Sequence, residues 1–67
     1  MIIKSIIESR SEPQIDGRFW ATELHTHDDG TEERYNTLFD EGTDVESVML
    51  GRAAAMNEGE QNRELVL

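Results

Sequence analysis

A chain of 67 residues makes one domain at most, and a domain this small buries only about 60% of the surface its unfolded form exposes, so its stability is marginal. With no cysteine, neither a disulfide nor a cysteine-bound zinc staples the fold, and contact with other chains is the remaining remedy for a small core. Fifteen acidic against six basic residues give a formal charge of −9, which argues against direct binding to nucleic acid or anionic membranes, because phosphate recognition needs clustered Lys and Arg.

Met1-Ile2-Ile3-Lys4 has no signal-peptide layout, and no run of about 18 apolar residues follows it. The expectation is a soluble protein made in the cytoplasm, with which the lack of cysteine agrees. Ile2, Ile3, Ile6 and Ile7 fit either a helical turn or a strand by spacing, but β-branched side chains favour a pleated surface. Residues 2–10 are therefore predicted as a first strand. Residues 11–17 contain the only proline, Pro13, and end in Asp16-Gly17, which predicts a turn or short loop.

Residues 18–27 and 31–40 read as two strands flanking Asp28-Asp29-Gly30. With Asp29-Gly30 as the centre of a type I′ turn, Trp20 falls opposite Phe39, Thr22 opposite Thr37 and Leu24 opposite Tyr35 on one apolar face. The reverse face then pairs Glu23 with Asn36, His25 with Arg34 and His27 with Glu32, as a solvated surface. Trp20 reads more readily as core than as an exposed binding residue in this arrangement.

Glu41-Gly42 ends the sheet, and Thr43-Asp44-Val45-Glu46 matches a capping box opening a helix over about residues 44–58. Val45, Val48, Met49, Ala53 and Met56 form an apolar stripe at spacings of three and four, suited to cover Trp20, Leu24, Tyr35 and Phe39. Gly51 costs the helix about 1 kcal/mol relative to alanine, and with Ala55 it offers a small-residue side for close approach by a neighbour. Gly59 interrupts the polar residues 57–62. The terminal Leu65-Val66-Leu67 either packs back on the domain or anchors into a partner. The fold expected is α+β: a three-stranded antiparallel β-meander, by sequential pairing, followed by one C-terminal α-helix packed on one sheet face.

His25-Thr26-His27 has metal-ligand spacing, since residues two apart on a strand point the same way and Glu23 joins them on that face. Two histidines and one carboxylate make a known ligand set. Against it stand an open face without a pocket and Arg34 directly across from His25, so cross-strand polar pairing is the preferred reading and no metal or other cofactor is expected. Serines lack any pattern placing a base and an acid around them, the carboxylates lack an apolar enclosure, and Gly17, Gly30, Gly42, Gly51 and Gly59 stand singly, so no enzyme and no small-molecule substrate is expected.

Asp16-Gly17-Arg18 leading into a strand, Glu23-Leu24-His25-Thr26 before a turn, and Gly42-Thr43-Asp44-Val45-Glu46 opening a helix with Arg52-Ala53-Ala54 together resemble short uncharacterised proteins of tailed bacteriophages associated with virion structural gene clusters. The likeness spans about residues 16–56 and carries over no catalytic residues. It implies a minor virion component of the tail, baseplate or fibre-attachment region, located in the virion. Its partner would be a larger virion protein, a homo-oligomer, or both. The candidate docking residues are Ile3 and Ile7 on the first strand, Met49 and Met56 on the helix, and Leu65, Val66 and Leu67. The alternative is a small acidic phage-encoded inhibitor that mimics nucleic-acid charge in a basic groove of a host defence protein, using Glu32, Glu33, Asp40, Glu41, Asp44 and Glu46.

Overall fold

A computed structural model describes the backbone of residues 1–66 and the side chains of residues 1–59. Three antiparallel strands, β1 (Ile2–Arg10), β2 (Phe19–His27) and β3 (Glu32–Phe39), form an open sheet in the order β1-β2-β3, and one helix, α1 (Val45–Val66), follows. The α+β meander-plus-helix expected from the pattern is the fold observed. The helix lies mainly over β1 and then β2 on one face of the sheet. It runs beyond the expected end near residue 58, carrying Gly59 inside it between strong helix formers such as Glu58 and Gln61.

The register of the central hairpin differs from the predicted one by one residue. Phe19 stands opposite Phe39, Trp20 opposite Leu38, Glu23 opposite Tyr35, Leu24 opposite Arg34 and His25 opposite Glu33. The cause is the turn. A type I′ turn centred on Asp29-Gly30 needs positive φ at both residues, and among the described residues only glycines have it. Instead the Gly30 amide donates to the His27 carbonyl, the His27 amide donates to the Thr31 carbonyl, and Gly30 alone adopts φ 89°. This is a three-residue loop, a type I turn through Asp28-Asp29 followed by a left-handed glycine. Asp29 reinforces it by accepting from the Thr31 amide at 2.9 Å.

A slip of one residue exchanges the faces of a strand. On β3, Tyr35 and Phe39 do face the helix as predicted. On β2, Phe19, Ala21, Glu23 and His25 face it, while Trp20 and Leu24 turn to the opposite, outer face. The expected cluster of Trp20, Leu24, Tyr35 and Phe39 under the helix is therefore split between two sides. The core instead joins Ala21, Phe39 and Val45, with Ile7 and Phe19 packed against them, and the Phe19 and Phe39 ring centroids are 6.0 Å apart. Val45, Met49 and Ala53 supply the buried helix stripe, whereas Val48 is exposed.

Two irregularities in β1 set which of its side chains point inward. Ile3 and Glu8 are each an extra residue opposite β2, so Ile2, Ser5 and Ile7 face the helix although their spacing is uneven. Asn57 then closes the sheet edge from above: its side-chain oxygen accepts from the Ile2 amide at 2.7 Å and its nitrogen donates to the Ile2 carbonyl at 3.2 Å.

The helix start is also displaced by one residue from the predicted capping box. Asp44, not Thr43, is the cap: its carboxylate accepts from the Ser47 amide at 3.3 Å and from the Ser47 hydroxyl at 2.8 Å. The Thr43 hydroxyl is committed elsewhere, donating to the Asp40 carbonyl at 2.7 Å across the turn at Glu41-Gly42.

Candidate functional site

Two features of this fold are unusual for a small domain, and both follow from the register. The first is polar and internal. Glu23 and His25, alternate residues on the central strand, are both 0% exposed. His25 Nε2 lies 3.0 Å from Glu23 Oε1, and the same oxygen accepts from Arg52 Nε at 3.0 Å. A carboxylate only accepts, so Nε2 donates to it, and Nδ1 is hydrogen-bonded to the Ser5 hydroxyl 2.7 Å away. One hydrogen-bond path thus ties β1 through Ser5, β2 through His25 and Glu23, and the helix through Arg52.

Tyr35 of β3 closes the cluster. Its ring meets His25 edge-on at 5.7 Å, and the Arg52 guanidinium lies over it, 4.8 Å from the centroid. Its hydroxyl donates toward Glu33 Oε2 at 3.3 Å and the Met56 sulfur at 3.4 Å. Burial, with the Glu33 carboxylate beside it, raises the Tyr35 hydroxyl above the ordinary phenol range. Glu23 Oε2 is buried without a hydrogen-bond partner.

The metal-ligand candidates are placed by this geometry. Glu23, His25 and His27 do share a face, as alternation along a strand requires, but it is the helix-covered face and not the open one. Both ring nitrogens of His25 are engaged by protein groups, His27 Nε2 stands 3.4 Å from Glu33 Oε2, and among the described residues no group of three or more acidic or histidine side chains is arranged to hold a metal ion. The expected pairing of His25 with Arg34 is replaced by Glu33 opposite His25.

The second feature is the outer sheet face. Trp20, 41% exposed, stands beside Leu38, and Ile6, 38% exposed, beside Leu24. Between them Thr22 donates to Asn36 Oδ1 at 3.3 Å. Arg34 crosses the central strand to bind Glu8 on β1, with Nε 3.0 Å and Nη2 3.2 Å from its carboxylate oxygens. That bond holds the Glu8 carboxyl below its usual range and the Arg34 guanidinium above its own. Lys4 and Glu32 flank Thr26 at the far end.

Of the predicted docking residues, Ile3 is 66% exposed at its bulge. Met49 is buried, Ile7 packs on the core, and Met56 is half-buried under Tyr35. The side chains of Leu65, Val66 and Leu67 lie outside the described residues. Trp20, Leu24, Leu38 and Ile6 of the outer face are not among the docking residues expected from the sequence. Their signal is the alternation of Trp20, Thr22 and Leu24, which the sequence alone assigns to the buried face. No helix among the described residues is long and apolar enough to cross a membrane. Comparison with protein-family models, with curated proteins and with solved structures finds no match for this chain.

Proposed function

We propose that this protein is a docking module of a larger assembly, the minor virion component that the tailed-phage resemblance implies, and that it attaches through the outer face of its sheet. The observation that carries this reading is the pairing of Trp20 with Leu38 and of Ile6 with Leu24 on the face opposite the helix. Trp is among the residues most often found to anchor a protein interface, and here it stands on an exposed sheet face. The buried polar cluster fits the same reading from the inside. It occupies space that a larger apolar core would fill, which leaves the domain dependent on neighbours.

Mass spectrometry of purified particles of the virus encoding the chain tests this. The chain is expected in fixed stoichiometry, and particles grown with Leu24→Lys are expected to lack it. Absence of the unaltered chain from particles overturns the reading. The acidic-mimic reading is favoured by a separate observation, the exposure of Glu32, Asp40, Glu41, Asp44 and Glu46. It requires binding to a basic partner that weakens steeply with ionic strength, whereas apolar docking does not.

A further inference from the structure

We propose that the outer sheet face is the contact between two copies of this chain, stacked face to face about a twofold axis. This rests on the reading of that face as the docking surface, and it names the occupant. Charge selects a second copy. Within the three strands, the ionisable side chains on the outer face are Lys4 and Arg34 against Glu8 and Glu32, so the face is neutral while the rest of the molecule carries the entire −9.

Two chains this acidic repel one another over roughly 10 Å at 0.1 M salt. They approach with least opposition through a neutral face, and one that bears both signs is complementary to itself under a twofold rotation. A strongly basic partner would be drawn instead to the acidic connection between β3 and α1. The most central charges enter the contact already paired, because Arg34 holds Glu8 through two nitrogens.

Size sets the strength. Two strands of nine residues and one of eight, rising about 3.3 Å per residue and lying about 4.8 Å apart, span roughly 400 Å² in plan. Counted on both copies that is roughly 800 Å², below the standard range and in that of weak, transient contacts. The dimer is therefore expected to be weak, with a Kd of about 0.1 mM or above, stabilised chiefly by Trp20, Leu38, Leu24 and Ile6 packing against the face of the second copy.

Sedimentation equilibrium of the purified full chain, from about 10 μM to about 1 mM and at low and high salt, tests the proposal. The mass is expected to rise from 7.7 kDa toward twice that value, with association several-fold tighter at about 0.5 M salt because screening removes the mutual repulsion. Trp20 is the only tryptophan, and its emission is expected to move to shorter wavelength as the dimer forms. Leu24→Lys is expected to weaken association at least tenfold, whereas Leu50→Gln on the exposed side of the helix, which keeps the charge, leaves it unchanged. Arg34→Glu weakens it, and Arg34→Glu combined with Glu8→Arg restores it, which keeps the test informative if Leu24→Lys lowers folding.

A single-chain mass throughout, tightening that is lost at high salt, or a dimer indifferent to both Leu24→Lys and Arg34→Glu overturns the proposal. Single-chain mass together with loss of Leu24→Lys from particles would overturn self-association alone and leave the docking reading standing.

Discussion

His25 Nε2 and Glu23 Oε1, 3.0 Å apart and fully enclosed, form the polar centre of a domain whose neighbouring core consists of Ala21, Phe39 and Val45. Two groups of this kind are costly to bury unless each is bonded. Arg52 supplies the balancing charge from 29 positions along the chain. Breaking such a pair from one side leaves the carboxylate uncompensated, whereas removing both partners need not destabilise.

Arg52→Leu is accordingly expected to cost about 2 kcal/mol, below the 3–5 kcal/mol typical of a fully buried pair because the Arg52 side chain is one-third exposed. Glu23→Leu combined with Arg52→Leu is expected to recover most of that loss. Urea unfolding of the two variants beside the parent protein measures both, and a double variant less stable than Arg52→Leu alone would contradict the account.

The one-residue register places Phe39 inside and Trp20 outside. Phe39→Ala should therefore cost about 3 kcal/mol or more, enough to unfold a marginal domain. Trp20→Ser should cost under about 1 kcal/mol in dilute solution. Thermal melts followed by far-ultraviolet circular dichroism compare the two, and equal losses would favour the predicted register over the observed one.

Gly30 and Gly51 respond oppositely to alanine. No atom lies within 4 Å of a Cβ added at either position, so backbone conformation alone decides. At Gly30, φ of 89° makes alanine cost about 1 kcal/mol. At Gly51, within the helix, alanine should add about 1 kcal/mol. Denaturant midpoints of the two variants, shifted in opposite directions, check the turn and the helix together.

Acid should first strengthen and then weaken the fold. From pH 7 toward about 5, protonation begins to reduce the −9 and its self-repulsion. Glu8, Asp16, Asp29 and Asp44 have carboxyls held below their usual range, chiefly by bonds from Arg34, Arg18, the Thr31 amide and the Ser47 hydroxyl respectively. A group depressed in the folded state stabilises above its unfolded pKa and loses that contribution as pH falls through the folded value, so the decline begins below about 4. Urea midpoints across this range should pass through a maximum near pH 5. Asp44→Ala should flatten the acid limb and lower Tm by a few degrees at pH 7, while Thr43→Ala changes it less, since Asp44 is the cap.

The amino-acid order alone determined the three strands and the helix, their antiparallel sequence, the acidic surface and the inward face of β3, because β-branching, alternation, turn residues and helical spacing are local properties. It also placed the polar candidates Glu23, His25 and His27 on one face. Only the tertiary structure decided which face that was. Asp28-Asp29-Gly30 supplies residues that suit a two-residue or a three-residue loop, and every side chain of β2 inverts between them. The choice is settled where distant parts meet: Phe19 against Phe39, the small Ala21 under Val45, and Arg52 reaching Glu23. These are contacts between residues far apart in the chain, and no local pattern encodes them.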